Sequence, residues 1–295
     1  MTLTIILICL IAERFLLEHT HLRNNRWFFR YSQWHLLQNL PDWMRQGVLG
    51  IVLLLLPPLL GVAILQQLFA ETLFGLLGVG FSIAILLYAL GPQDLDSQIS
   101  RYVAAVDHED DADTRDVALA ILEDEPPTSE PARSQAVAEA ALQQANRRII
   151  AVLFWFILLG PLGAMLYRLA TWLPNSDQAA QDIDYHLNAK QLIVILDWIP
   201  ARITAFCYAI AGSFEDALYG WRSYQESRYS EFSDSNTGTL ICTGSGAMRL
   251  TTLLDEAYAG THLYTYLPKA AMALIWRTLI VFLVLLALLT LTGLV

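Results

Sequence analysis

Long apolar runs alternate with polar stretches along this chain. Crossing the hydrocarbon core of a bilayer takes a helix of about 20 mostly apolar residues. Residues 47–70 (GVLGIVLLLLPPLLGVAILQQLFA) meet that length, and Pro57–Pro58 predict a kink inside the helix. Residues 72–91 follow after a turn at Ala70–Glu71, so the two spans form a tight helical hairpin. Residues 149–173 predict a third span. Residues 271–292 predict a fourth, with Arg277 near one end, where its side chain can snorkel to the interface. Two further apolar segments carry charges: 1–17 holds Glu13 and Arg14, and 191–212 holds Asp197 and Arg202 around Pro200. They predict membrane-embedded or re-entrant pieces. The segment 1–17 does not read as a signal peptide, because no basic residues precede the apolar run and no small-residue cleavage site follows it. The pattern as a whole predicts an all-α polytopic membrane protein, organised as a single membrane domain over 1–295.

The polar stretches also carry helical periodicity. Ile99, Tyr102, Val103 and Val106 follow helical spacing, and so do Val117, Ala120 and Ile121. Residues 92–148 therefore predict an acidic loop of short amphipathic helices. Glu-Pro-Pro-Thr-Ser-Glu-Pro (125–131) acts as a stiff linker, and 134–148 form a helix feeding the third span. Residues 24–43 mix Trp, Phe, Tyr and Arg, which suits a helix at headgroup level. Residues 213–269 predict a second helical loop, soluble or interfacial. In it, Ser213-Phe-Glu-Asp216 caps a helix of about 214–230. The small residues of 233–250, Gly244-Ser-Gly246 among them, predict close helix packing, with a phosphate cradle as the sharper alternative.

Composition agrees with the pattern. The chain is 55% hydrophobic and 16% charged, against roughly 25% charged for an ordinary soluble domain. Its net charge of −10 is concentrated in 92–148, which hold thirteen acidic residues and five arginines. Without a dense basic stripe, nucleic acid is not an expected partner. The bilayer is, and a single-span membrane protein could join it. Five arginines between 14 and 45 place that stretch, and with it 92–148, on the cytoplasmic side by the positive-inside rule. The loop 174–190, with Lys190 alone, is then expected outside. Segment 191–212 is expected to span or re-enter deeply, since Arg222, Arg228, Arg249 and Lys269 suit a cytoplasmic 213–269.

Candidate chemistry is sparse. Cys9, Cys207 and Cys242 form no CxxC, so they read as small hydrophobes rather than as a disulfide or zinc framework. DHEDDAD (107–113) departs from the calcium-loop pattern at Ala112. His19 and His21 lack a third ligand at a matching spacing, and no nucleophile–histidine–acid arrangement emerges. The charges in apolar surroundings are the remaining signal, because such residues face an interior or pair with one another. Glu13, Arg14, Arg168, Asp197 and Arg202 thus form a candidate polar intramembrane binding site. The alternative role is to lock helices together. Pro200 predicts a helix break near Ile199, with Gly212 closing the helix that follows. Ala201, Ala205 and Ala209 would line one face for close packing, and Trp155, Gly160, Pro161 and Gly163 would do the same in the third span. No metal site is expected, and no cofactor can be named.

Three stretches resemble the AmpE family: Ile11-Ala-Glu13-Arg14-Phe, Leu153-Phe-Trp155…Gly160-Pro161-Leu-Gly163-Ala…Tyr167-Arg168, and Leu196-Asp197-Trp198-Ile-Pro200-Ala201-Arg202. More distantly, the chain is similar to the CobD/CbiB cobalamin-biosynthesis membrane proteins, including the late Asn236–Met248 stretch. Resemblance to AmpE implies an inner-membrane regulatory or accessory protein linked to β-lactamase induction and cell-wall stress. Resemblance to CobD/CbiB implies an amide-forming enzyme acting on a corrinoid. Where those enzymes carry Glu-Asn before the Phe-Trp span, this chain reads Gln144-Ala145-Asn146-Arg147. A transporter of a cell-wall fragment is a third reading, although no inverted repeat is visible.

Overall fold

The computed structural model describes residues 2–16, 26–37, 47–70, 76–90, 95–108, 110–122, 124–226, 234–250 and 263–292. All regular structure among them is helical. In chain order the helices are α1 (Thr2–Leu16), α2 (Arg26–Leu37), α3 (Gly47–Ala70), α4 (Leu76–Leu90), α5 (Leu95–Asp107), α6 (Asp111–Leu122) and α7 (Glu130–Ala145). A π-helical turn, Asn146–Ile150, joins α7 to α8 (Ala151–Leu159). Then come α9 (Pro161–Trp172), α10 (Asp177–Gln181), α11 (Ile183–Ala211), α12 (Phe214–Glu226), α13 (Ser235–Ala247) and α14 (Leu263–Leu291). Among the described residues, five helical stretches are long and apolar enough to cross a membrane: Gly47–Phe69, Leu76–Asp107, Glu130–Leu159, Ile183–Ala211 and Tyr264–Leu291. The protein is an all-α, multi-pass membrane protein.

The chain divides into two compact units. The first comprises Met1–Pro92 and Ala151–Asp197. In it α3 and α4 pack as the expected hairpin, and α9 lies against both. Phe28, Leu54, Leu169, Leu173 and Tyr185 fill its core. The second comprises Gln93–Ile150 and Trp198–Leu294. There α7 packs on α14 and α13 on α12, around Tyr102, Ile121, Leu142 and Leu274. The spacing in α5 faces inward as predicted, with Ile99, Tyr102 and Val103 buried. In α6 one position differs. Ala120 is exposed, and Thr114, Val117, Ala118 and Ile121 form the buried stripe.

Three expectations are corrected. First, 149–173 is not one straight span. Gly160 adopts φ 67° and ψ −151°, a conformation open to glycine, and Pro161 starts α9 without needing an N–H donor. The chain folds back there. A Cβ on Gly163 would lie 2.1 Å from the Trp155 carbonyl oxygen, whereas eight residues of continuous helix would separate the two by ~12 Å. The α8–α9 pair is a helical hairpin.

Second, the described parts of two stretches expected on opposite sides, 26–37 and 177–190, lie together. In the first unit α2 packs on α10, and the Phe28 and Trp172 rings lie 5.6 Å apart. Gly47 opens α3 beside the Asn188 side chain.

Third, α11 is unbroken at Ile199. Pro200 sits inside it, and Gly212 follows its end. A proline leaves the carbonyl four residues earlier without its usual partner. Here that carbonyl, on Leu196, accepts the indole N–H of Trp155 at 3.2 Å. A side chain therefore supplies the donor that proline removes, and the helix continues.

Candidate functional site

The charges singled out in the sequence fall into different places. Glu13 and Arg14 belong to the last turn of α1, and their side chains lie outside the described residues, as do His19, His21 and His262. Arg168 and Asp197 are buried in the first unit. Asp197 Oδ1 accepts a 2.6 Å hydrogen bond from the Tyr167 hydroxyl. The Arg168 guanidinium carbon lies 5.3 Å from the centroid of the Trp172 ring. Tyr167 completes this buried pair, and it stands beside Arg168 in the third-span pattern.

Arg202 belongs to the second unit, where it enters a larger polar cluster. Its guanidinium stacks 4.1 Å from the centre of the Trp198 ring. One Nη donates to the Trp198 carbonyl at 2.7 Å and to Asn236 Oδ1 at 3.2 Å. Asn236 opens α13. Asp234 caps that helix, its Oδ1 accepting the backbone N–H groups of Asn236 (2.8 Å) and Thr237 (2.9 Å). The other carboxylate oxygen accepts the Thr237 hydroxyl at 2.9 Å and lies 3.8 Å from Arg147 Nη2. Gln143 Nε2 donates to Thr237 Oγ1 at 2.9 Å, tying α7 to α13.

The π-helical turn supplies the third wall. Asn146 turns its backbone N–H to Gln143, and the Leu142 carbonyl accepts the Tyr208 hydroxyl at 2.7 Å. Asn146 Oδ1 accepts the Thr204 hydroxyl at 2.8 Å. Asn146, Thr204, Asn236 and Thr237 are all buried. Burying an amide or hydroxyl is costly unless it is hydrogen-bonded, and π-turns recur at functional sites. Guanidinium groups, amides and one capped carboxylate from three elements make a surface suited to hydrogen-bonded recognition of a polar or anionic group.

Sequence reasoning missed Asn146, Thr204, Asp234 and Thr237 as members of one cluster. For Asn146 the available signal was the polar run Gln143-Gln-Ala-Asn-Arg-Arg148 just before the third apolar segment. For Asp234 it was the Asp-Ser-Asn-Thr cap signature. Ala201, Ala205 and Ala209 are all buried, and Gly163 admits the Trp155 backbone at close range.

Compared with known families, residues 1–295 match the one described as "Regulatory signalling modulator protein AmpE". The chain belongs to the AmpE family. This AmpE-family chain is also similar to the cobalamin biosynthesis protein CobD of Chromobacterium violaceum, with 30% identity over 213 residues, 70% of this chain and 65% of that protein. CobD of Stutzerimonas stutzeri is 28% identical over 211 residues, 70% of this chain and 66% of its own length. The match thus spans a little under two thirds of each of these relatives. No solved structure matches the chain.

Proposed function

We propose that this AmpE-family protein is a regulatory protein of the bacterial inner membrane that acts by binding a ligand or membrane partner at the Asn146–Arg202–Asn236 cluster. The reading places 92–148 on the cytoplasmic side and links the protein to β-lactamase induction and cell-wall stress. One observation supports it: half-buried Arg202 is hydrogen-bonded to Asn236 beside a π-turn, where Asn146, Thr204, Asn236 and Thr237 are buried. The test is complementation of a strain lacking its own copy with Asn146→Ala and Asn236→Ala, at matched membrane levels. A β-lactamase induction response reduced at least several-fold is expected. Induction indistinguishable from wild type would overturn the reading.

A second reading, an amide-forming membrane enzyme, draws on the 30% identity to a protein of cobalamin biosynthesis. Asn146 and Asn236, which lie in the two stretches compared with those enzymes, are both members of the cluster. Retention of a corrinoid by the purified protein, read from its visible spectrum, would favour this reading over the regulatory one.

A further inference from the structure

Where the π-turn meets α11 and α14, the second unit holds a small cavity of about 10 Å³. A single buried water needs roughly that much room and two to four polar partners. Ala145, Ile150 and Ile275 are among its apolar walls. Three lining residues carry hydroxyls: Thr204 and Tyr208 on α11, and Thr278 on α14. All three are buried.

Their hydrogen bonds are complementary. The Thr204 hydroxyl donates to Asn146 Oδ1 at 2.8 Å, and that of Tyr208 to the Leu142 carbonyl at 2.7 Å. Both protons are used, while each oxygen keeps a lone pair that can accept. Thr278 stands the other way round. Its hydroxyl has no hydrogen-bond partner among the described residues, and the residue is only 2% exposed. Further along α14, the Thr290 hydroxyl bonds back to the Leu286 carbonyl at 2.8 Å. Thr278 makes no such bond to Leu274, so its proton remains to be matched. Hydrocarbon supplies no partner, which makes an unmatched hydroxyl costly inside a membrane-spanning stretch. Two acceptors and one donor around one small space match a molecule with two protons and free lone pairs. No carboxylate lines the cavity to hold a cation.

We propose that one ordered water binds in this cavity, donating to the Thr204 and Tyr208 oxygens and accepting the Thr278 proton. It ties α14 to α11 and, through Thr204, to Asn146 at the π-turn. The site is built from the fold of the second unit, so it does not depend on a ligand binding at the Asn146–Arg202–Asn236 cluster. The first test is an experimental map of the whole protein that resolves ordered waters. A density peak within hydrogen-bond distance of all three hydroxyls is expected. A cavity without density, or a Thr278 hydroxyl turned onto the Leu274 carbonyl, would overturn the proposal. The second test is thermal unfolding of the whole protein in nanodiscs. Thr278→Val keeps the shape but removes the donor, and should lower Tm by about 2–4 °C. In a Tyr208→Phe background the water is already poorly held, and the same substitution should lower Tm by half as much or less. A Tm unchanged or raised by Thr278→Val would mean that its hydroxyl has no partner to lose. An equal drop in both backgrounds would assign the effect to packing, and either result refutes a shared water.

Discussion

Single side chains settle where this chain bends and where it does not. Trp155 gives the Leu196 carbonyl the hydrogen bond that Pro200 cannot. Trp155→Phe keeps an aromatic ring but removes the donor, leaving a buried acceptor unmatched at a cost of about 1–3 kcal/mol. In a Pro200→Ala background the new N–H takes over, and the same substitution should cost at most a few tenths of a kcal/mol. Thermal unfolding of the four variants measures this coupling, and equal costs in both backgrounds would refute it. Asp216 sets a pH dependence. Its carboxyl is held below the ordinary aspartate range, first by the Ser213 hydroxyl; desolvation opposes the shift, and Arg249, whose Nε lies 2.8 Å away, adds to the lowering. A depressed folded value stabilises above the unfolded pKa of ~3.9 and is lost as pH falls through the folded value. Asp216→Asn should therefore melt below wild type at pH 7, with the gap closing under acid. A gap that is constant with pH would remove the charge from the explanation.

Between elements, missing side chains do the work in the second unit. A Cβ on Gly220 would stand 2.3 Å from the Cys242 carbonyl oxygen, and one on Gly246 the same distance from that of Asp216. The backbones of α12 and α13 are in contact, so adding a methyl must push two helices apart. Gly220→Ala or Gly246→Ala should cost ~1–3 kcal/mol or more. Gly61→Ala and Gly80→Ala meet open space and should gain up to roughly 1 kcal/mol of helix propensity. Melting temperatures of the four variants test this, and a uniform response would refute the packing account. This packing was legible in the sequence, since small residues at helical spacing have few other uses. So were the apolar helices and the inward face of α5. The bend at Gly160 was not, because Gly-Pro inside an apolar run suits either a kinked span or a reversal, and only tertiary contacts decide between them. The unbroken α11 was illegible for a related reason. Its continuity depends on an indole forty-one residues earlier in the chain. The polar cluster was half visible: Arg202 stands out as a charge in an apolar run, whereas neutral Asn146 and Thr204 acquire meaning only once α7 and α11 meet.

For the whole molecule, the bend at Gly160 leads to a prediction about which polar segments share a side of the membrane. Counting basic residues placed 174–190 opposite 14–46, on the assumption that everything apolar between 149 and 173 crosses the bilayer. A 12-residue α9 is ~18 Å long, short of the ~30 Å hydrocarbon core, and it returns to pack its Trp172 end against α2 and α4. Residues 26–37 and 177–190 should then face the same compartment. Single cysteines at exposed Arg30 and Lys190, in a background without Cys9, Cys207 and Cys242, make this testable in sealed vesicles of one orientation. A membrane-impermeant maleimide should label both positions or neither until the membrane is permeabilised. Labelling of one position alone would restore 149–173 as a full span and overturn the prediction. Labelling in agreement reverses the weight given to Lys190: the loop lacks arginines because it is short and packed against α2, and its low basic count then carries no information about side.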